Sequence, residues 1–357
     1  MKRRIGLLTA GGDCPGLNAA IRGVAYASYN LFDAEFIGIN DGFSGLIEGN
    51  YTYMPPSDFG GILTLGGTIL GTSRTPYRNM RVIEEDNVDK VAAMKRNYAA
   101  MGLDCLVTLG GNGTHKTANL LAEEGLNIIG LPKTIDNDIF GTDITFGFHS
   151  AVDIATDVVD RIHTTANSHG RVMVIELMGN KAGWLTLYAG LGGGADVILL
   201  PEMPYDIDNV VEAIGRRSTH KRNFAIICVA EGAMTVEEAQ LKRKALEQKR
   251  AEEHFISVGY QLAANIEKRM DIEARVVVPG HYQRGGSPSP YDRVLATQFG
   301  AYAAMLIRDG HYGCTVAMKG NVVGHNPLSQ VAGKTKFVPI DCDMINTARS
   351  MGICFGN

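Results

Sequence analysis

Short apolar runs, each closed by glycine or by a polar turn, alternate along the chain with patterns typical of helices. The length of these runs and their content of β-branched residues favour buried strands. Regular alternation of strand and helix predicts an α/β fold with two Rossmann-like domains and mainly parallel sheets. The predicted strands are 4–9, 35–39, 105–109, 127–131, 171–177, 197–200, 224–230 and 274–278, and the clearest predicted helices are 18–29, 115–124, 150–164 and 236–254.

The length of the chain indicates two domains. Its 357 residues exceed the size at which one hydrophobic core usually stops growing. The predicted strands fall into two groups, so we expect the chain to cross between domains at residues 146–150. The first domain is predicted to comprise residues 1–147 with about 285–333, and the second to comprise 148–284 with the C-terminal segment 334–357.

Composition excludes several classes of protein. Hydrophobic residues make up 45% of the chain and charged residues 20%, which is too apolar for disorder. The net charge of -4 comes without a basic block, so no nucleic-acid partner is expected. The sequence shows no signal peptide and no apolar run long enough to cross a membrane, and its six cysteines form no CxxC pair. We therefore expect a cytoplasmic protein with reduced thiols and no membrane partner. Residues 236–254 are heavily charged with few apolar positions, which favours a solvated surface helix.

Two glycine-rich loops follow predicted strands and precede helices. The first is AGGDCPGLN at 10–18, and the second is GGNGT at 110–114. Glycine lets backbone N–H groups approach an anion, and the following helix adds its positive end. Because ligands bind beyond the carboxyl ends of strands in open α/β sheets, the two loops together predict a phosphate site. Arg74 adds a guanidinium suited to phosphate, although alone it would indicate only a surface salt bridge.

The loop after the fourth predicted strand, TIDND at 134–138, places carboxylates near the predicted phosphate site. Carboxylates repel phosphate, so a site that only bound phosphate would avoid them. A kinase needs both groups, because one Asp takes the proton from the attacking hydroxyl and another carboxylate holds Mg²⁺ between phosphates. Asx turns or helix capping would explain any one of these residues alone. Beside two glycine loops, the pair favours phosphoryl transfer.

The second half of the chain adds cations and a carboxylate near strand ends. This set suits a small sugar phosphate, with cations for the phosphate and a carboxylate for the hydroxyls. The residues are Arg171, Met178, Gly179, Asn180, Glu231, Arg275, His281 and Arg284.

Taken together, the motifs resemble those of the 6-phosphofructokinase family. They are GGDCPGLNAAIRG, LGTSR, GGNGT, PKTIDND, GRVMVIELMGN, AEG and GHYQRGGSPSPYDR, and the match runs from Ile5 to about Gly310. The resemblance implies that ATP and Mg²⁺ serve to phosphorylate D-fructose 6-phosphate at its 1-hydroxyl, giving fructose 1,6-bisphosphate in glycolysis. It implies a donor-binding first domain, a fructose-6-phosphate-binding second domain and an active site in the cleft between them. In the family, counterparts of Arg171 and Arg275 reach in from a neighbouring subunit, so a homo-oligomer, a tetramer or a dimer, with shared active sites is implied.

The resemblance also implies roles for individual residues. By position in TIDND, Asp136 resembles the general base, Thr134 the residue that steadies the transferred phosphoryl group, and Asp138 a group near the metal. Lys133 joins the first two as a catalytic residue, and Asn112 joins Asp138 as a metal ligand. The implied donor-binding residues are Gly11, Arg74, Gly111, Asn112, Gly113 and Thr114. The implied substrate-binding residues are Thr134 and Asp136 together with the second-half set above.

Three positions depart from the commonest ATP-using pattern. Asn112 stands where the family usually has a metal-associated Asp, and Asn180 stands where it usually has an arginine. Lys133 replaces a glycine, and pyrophosphate-using members combine a lysine here with an Asp at the position of Gly113. This chain has the lysine without the Asp, so the nucleotide path stays open and we expect ATP as the donor. Pyrophosphate, in a reversible reaction, remains the alternative.

Functions of other classes compete with this one. An NAD(P)-dependent oxidoreductase would need GxGxxG and an acidic residue after the second strand, and neither is convincing here. A non-catalytic sugar-phosphate sensor would lack the base, yet Asp136 stands in an intact TIDND. A basic cluster suits an effector phosphate and equally a solvated edge; it comprises Arg216, Arg217, His220, Lys221 and Arg222.

Overall fold

The computed structural model describes residues 2–83, 88–218, 224–252 and 254–357, and for residues 217, 218 and 243 it describes the backbone alone. Most of the basic cluster therefore lies outside the described residues, since only Arg216 has a described side chain. The strands are β1 (Arg3–Thr9), β2 (Ala34–Ile39), β3 (Tyr51–Met54), β4 (Cys105–Gly110), β5 (Ile128–Pro132), β6 (Val172–Leu177), β7 (Val197–Leu199), β8 (Ala225–Ala230), β9 (Ala274–Val277), β10 (Cys314–Lys319) and β11 (Val322–Pro327).

Helices separate most of the parallel strands. None of them, within the described ranges, combines the length and the apolar character that crossing a membrane requires. The helices are α1 (Leu17–Leu31), α2 (Phe43–Glu48), α3 (Lys90–Ala100), α4 (Asn112–Glu123), α5 (Phe148–His169), α6 (Trp184–Gly192), α7 (Ile207–Ser218), α8 (Val236–Ala239), α9 (Arg243–Glu252), α10 (Val258–Glu267), α11 (Pro290–Asp309), α12 (Leu328–Val331) and α13 (Asp343–Ser350).

Contacts divide the chain into two compact units. The first comprises Met1–Ser150 with Arg284–Lys336, and the second comprises Ala151–Gln283 with Phe337–Asn357. Arg284, expected in the second domain, falls in the first unit.

The first unit is built on one seven-stranded sheet, in the order β11-β10-β5-β4-β1-β2-β3. Strands β10, β5, β4, β1 and β2 run parallel, and the two edge strands, β3 and β11, run antiparallel to their neighbours. Strands β1, β4 and β5 are almost entirely buried, as their continuous apolar runs predict. Their carboxyl ends therefore meet at one edge of the sheet.

The second unit contains a four-stranded, fully parallel sheet, in the order β7-β8-β6-β9. Its core gathers the apolar side chains of these strands with those of α7 and α10. The C-terminal segment lies beside the edge strand β7, where Cys354 forms an isolated parallel β-bridge with Val197. The predicted α/β class with mainly parallel sheets is confirmed.

The helical character predicted for 236–254 is confirmed for most of the segment, but the prediction of one solvated helix is wrong. The structure divides the segment into α8 and α9, and it buries Glu238, whose side chain is only 1% exposed. Thr235 caps α8 in a capping box with Glu238. The Glu238 carboxylate also accepts hydrogen bonds from Arg250 on α9 and from Gln261 on α10. A charged pattern that suggested a solvated face thus contains a buried, fully paired carboxylate.

Candidate active site

The carboxyl ends of β1, β4 and β5 open onto a cavity of about 390 Å³ in the first unit. Each of these parallel strands delivers one of the loops singled out from the sequence, because their ends coincide at this edge. The cavity brings together the predicted residues Gly11, Arg74, Gly111, Asn112, Gly113, Thr114, Lys133, Thr134, Asp136, Asp138 and Arg284.

The loop after β1 is tied to the segment that carries Arg74. The N–H of Gly11 donates to the carbonyl of Ser73 at 3.1 Å, and the hydroxyl of Thr72 donates to the carbonyl of Gly11 at 2.7 Å. Gly11 adopts a φ of +84°, which L side chains rarely adopt. These bonds place the Arg74 guanidinium in the same cavity as the glycine loop.

The loop after β4 leads directly into α4. Gly111 is the residue that precedes the helix, and Gly113 lies in its first turn. A Cβ atom added at Gly113 would meet no atom within 4 Å. Because the first N–H groups of a helix lack intrahelical partners, this turn presents donors and a positive end to the cavity.

Asn112 and Asp138 both line the cavity, and a side-chain hydrogen bond connects them. Asn112 Nδ2 donates to Asp138 Oδ2 at 2.8 Å, while Asn112 Oδ1 is buried and has no hydrogen-bond partner among the described residues. No group of three or more His, Cys, Asp or Glu side chains in the described part of the chain could hold a metal by itself. Mg²⁺ in phosphoryl-transfer sites usually takes one or two carboxylates plus phosphate oxygens and water. The Asp138 carboxylate and the unpaired oxygen of Asn112 fit that ligand set.

Lys133 lies beneath the first loop rather than in the open part of the cavity. Its side chain is 3% exposed, and its ammonium donates to the carbonyl of Gly12. Burial lowers the pKa of Lys133, and the nearby charge of Arg284 lowers it further, whereas Asp13 and Asp136 raise it. The Arg284 guanidinium packs directly on Gly12, and a Cβ atom at this position would require the guanidinium to shift.

A buried asparagine that the sequence analysis overlooked fixes the shape of the TIDND loop. Asn137 is 2% exposed and has a φ of +50°, a left-handed conformation that Asn tolerates better than most residues. Its Oδ1 accepts from the N–H of Thr145 at 3.1 Å, and the Thr145 hydroxyl donates to the carbonyl of Thr134 at 2.8 Å. The sequence signal for this role is the residue type, because Asn tolerates the left-handed conformation that tight turns require.

The second unit holds the other predicted substrate-binding residues. It divides them between two opposite edges of its sheet, one formed by the amino ends of the strands and the other by their carboxyl ends. Arg171 precedes β6 and Arg275 lies at the beginning of β9, and both donate to the carboxylate of Glu273. Glu273 was not singled out from the sequence. It pairs with both guanidinium groups and holds them beside each other.

The opposite edge carries the residues that follow the strands. Met178, Gly179 and Asn180 follow β6, Glu231 follows β8, and His281 lies in the 3₁₀ turn Gly280–Arg284 after β9. Glu231 is placed beside Gly179, whose N–H points to Oε1 at 3.5 Å. The six residues of β6 separate the two edges by roughly 20 Å. The two sets therefore lie at opposite ends of the strands within one chain.

The cavity combines two glycine loops, the Arg74 guanidinium and the carboxylates of Asp136 and Asp138. At the carboxyl ends of the strands of an open α/β sheet, this combination defines a phosphotransferase site. A family model described as phosphofructokinase matches residues 4–307. The chain belongs to the phosphofructokinase family, as its motifs predicted.

Curated relatives match along the whole chain. An ATP-dependent 6-phosphofructokinase of Spirochaeta thermophila is 54% identical, over 99% of this chain and 98% of the relative. An ATP-dependent 6-phosphofructokinase 3 of Bacteroides thetaiotaomicron is 49% identical, over 99% of this chain and 100% of the relative.

Solved structures share the fold. A phosphofructokinase from Saccharomyces cerevisiae superposes with a TM-score of 0.79 at 29% identity, over 92% of this chain, which spans only 45% of the yeast chain. A pyrophosphate-dependent phosphofructokinase from Marinobacter aquaeolei superposes with a TM-score of 0.81, over 99% of this chain and 92% of that one. At 18% identity, the second likeness concerns the fold alone.

Proposed function

We propose that this chain is a cytoplasmic, glycolytic 6-phosphofructokinase. It transfers the γ-phosphoryl group of ATP to the 1-hydroxyl of D-fructose 6-phosphate and gives fructose 1,6-bisphosphate. The names of the curated relatives support both the reaction and the donor. Pyrophosphate is the alternative donor, because Lys133 is shared with pyrophosphate-using members of the family.

The open space at Gly113 carries the choice of donor. A side chain at this position would extend into the cavity, because no described atom lies within 4 Å of the added Cβ. With glycine, the space beside the first turn of α4 is free for the α-phosphate and the nucleoside of ATP. Lys133 does not occupy that space, since its ammonium is bound to the carbonyl of Gly12. It stabilises the first loop and adds positive charge beneath the phosphates of either donor.

Mg²⁺ is implied by the family, and Asp138 with Asn112 would hold it. When bound, the ion neutralises charge on the β- and γ-phosphates. Asn112 orients the Asp138 carboxylate through its amide, and its oxygen, which has no hydrogen-bond partner among the described residues, would be a second ligand. Arg74 and the N–H groups at the start of α4 bind the remaining phosphate oxygens.

Asp136 accepts the proton of the attacking 1-hydroxyl. Its position is set by the loop, because its N–H donates to Thr134 Oγ1 at 3.1 Å and Asn137 fixes the turn beside it. Thr134 steadies the transferred phosphoryl group. Catalysis by these residues consists of positioning, proton removal and charge stabilisation, as phosphoryl transfer requires.

The substrate residues of the second unit imply an assembly of several chains. Arg171 and Arg275 lie at one edge of the sheet, and Met178, Asn180 and Glu231 at the other. We expect two copies of the chain to contribute to each site, so that all five serve the same substrate. The separation supports a homo-oligomer, a dimer or a tetramer, with shared active sites. His281 and Arg284 complete the proposed substrate site.

Product formation from ATP, Mg²⁺ and fructose 6-phosphate tests the proposal. We expect the wild-type chain to form fructose 1,6-bisphosphate, and Asp136→Asn to lower kcat by about 10²–10⁴ with fructose 6-phosphate binding retained. Asp341→Asn, a change of an exposed carboxylate in the second unit, is the matched control and should keep wild-type rates. Near-wild-type turnover in Asp136→Asn would remove this residue from the role of base, and a wild-type chain without product would overturn the function.

A further inference from the structure

His115 lies at the centre of a buried connection behind the second glycine loop. The side chain belongs to the first turn of α4 and is 1% exposed. Its Nδ1 lies 2.9 Å from the carbonyl oxygen of Gly111, and its Nε2 lies 2.8 Å from the hydroxyl of Thr315 on β10. The imidazole thus connects Gly111, the residue that precedes α4, to Thr315 on β10, which lies 200 residues after His115 in the chain.

The two partners define the protonation of the ring. A carbonyl oxygen can only accept, so Nδ1 carries the proton and donates to Gly111. Nε2 then accepts from the Thr315 hydroxyl in the neutral imidazole. Burial is the main reason that the pKa of His115 falls to about 4, so the ring is neutral at physiological pH.

The surrounding backbone makes room for this connection. Thr315 pairs with Gly130 on β5. A Cβ atom at Gly130 would lie 2.9 Å from Thr315 Oγ1 and 3.3 Å from His115 Nε2, closer than ordinary contacts allow. Glycine inside a strand often marks such a close approach. Gly130, Thr315 and His115 therefore form one fitted arrangement.

The ring restrains a peptide plane at the donor site. The carbonyl of Gly111 and the N–H of Asn112 belong to one planar trans peptide, so they point in opposite directions. The carbonyl accepts from the main-chain N–H of His115 at 3.0 Å, and the bond from Nδ1 at 2.9 Å adds a side-chain restraint on the direction of the Asn112 N–H. Asn112 and Gly113 line the cavity in which the donor phosphates are proposed to bind.

We propose that His115 and Thr315 are positioning residues of the phosphoryl-donor site, and that they orient the first N–H groups of α4 toward the donor phosphates. This inference rests on the proposed function and names a further determinant of donor affinity. It predicts an effect on the donor and none on the acceptor, because the hydrogen bonds of the His115 ring lead to Gly111 and Thr315 and not to the proposed substrate-binding residues.

Removing the Thr315 hydroxyl tests the connection with little change of shape. Thr315→Val leaves Nε2 without its donor, and Thr315→Ser keeps the hydroxyl. Thr186→Val is the matched control, because Thr186 is buried in the second unit and its hydroxyl has no hydrogen-bond partner among the described residues. Dissociation constants for ATP are measured by calorimetry without acceptor, and KM is measured for ATP and for fructose 6-phosphate. Thermal melting confirms that each variant is folded.

We expect Thr315→Val to weaken ATP binding and to raise KM for ATP by about 10-fold, the scale reported for groups that orient a binding residue. KM for fructose 6-phosphate should stay at the wild-type value, and Thr315→Ser should recover most of the ATP affinity. His115→Gln should show the same donor-specific loss. Equal changes in both KM values, or unchanged ATP affinity in folded Thr315→Val and His115→Gln, would overturn the inference.

The same measurements separate this inference from the proposed function. A wild-type chain that turns over pyrophosphate instead of ATP would contradict the proposed donor alone. The loop test would then use pyrophosphate as the probe, with the same expected loss in Thr315→Val. A donor-specific loss would still support the positioning role, and its absence would still overturn it.

Discussion

Asn112 and Asp138 share a hydrogen bond of 2.8 Å between the amide Nδ2 and the carboxylate Oδ2. The amide donates a hydrogen bond at a place where a second carboxylate would repel Asp138. This bond orients the Asp138 carboxylate, and Asn112 Oδ1 has no hydrogen-bond partner among the described residues.

Asn112→Asp should therefore make the fold dependent on Mg²⁺. Without the ion, the lost hydrogen bond and the new repulsion should destabilise the folded chain by about 1–3 kcal/mol. Added Mg²⁺ should raise the melting temperature of the variant more than that of the wild type. Asn119→Asp is the matched control, because Asn119 on the same helix also donates to a carboxylate, that of Glu123, at 2.8 Å but at the surface. An equal response of all three proteins to Mg²⁺ would remove Asn112 and Asp138 from the metal site.

The buried neutral His115 should make the fold sensitive to acid. The folded pKa of about 4 lies below the ordinary value of 6.5, so the unfolded chain binds the proton more readily. Stability is then lost as pH falls from 6.5 toward 4, by about 2 kcal/mol at pH 5. His115→Gln should lose less stability than the wild type between pH 7 and pH 5 in denaturant titrations at each pH. Parallel curves for the two proteins would show that His115 is protonated in the folded chain.

Mixed oligomers should reveal active sites that are shared between chains. Arg171→Ser and Asp136→Asn should each lose most of the activity, since the first removes a guanidinium proposed to bind the substrate and the second removes the base. After joint dissociation and reassembly, some sites would combine an intact Asp136 with an intact Arg171 from another chain, and activity should return. A mixture of Asp136→Asn with Thr134→Ala should stay inactive, because both residues come from the same loop of one chain. No recovery in the first mixture would place each site within a single chain.

The sequence predicted the parts of the fold whose signals are local. Continuous apolar runs marked the buried parallel strands, and glycine with Asp and Asn marked the loops at their carboxyl ends. Edge strand β3 was not predicted, because its four residues, Tyr51–Met54, form no continuous apolar run. This composition suits an edge strand on which Tyr51 and Tyr53 are exposed. Strand β10 is absent from the predicted strands, although its buried run Cys314–Met318 carries the same local signal.

Residues that act through distant partners were missed, because no local pattern indicates those partners. His115 has the appearance of an ordinary helix residue until Thr315 is placed beside it. Glu273 lies two residues before Arg275, but its other partner, Arg171, is 102 residues away. Glu238 stands in a charged segment, and only the fold brings Arg250 and Gln261 onto its carboxylate. Residue types at strand ends can indicate chemistry, whereas buried hydrogen-bond networks require the tertiary structure.

Donor choice in the wild type and in two variants at Gly113 tests the central claim most directly. Initial rates of fructose 1,6-bisphosphate formation are compared with ATP and with pyrophosphate at equal concentration, in the presence of Mg²⁺. We expect turnover with ATP in the wild type and in Gly113→Ala, because an added methyl group meets open space. Gly113→Asp should depress turnover with ATP, since its carboxylate would lie in the path of the α-phosphate. Turnover of the wild type with pyrophosphate alone, or unchanged ATP kinetics in folded Gly113→Asp, would contradict the account.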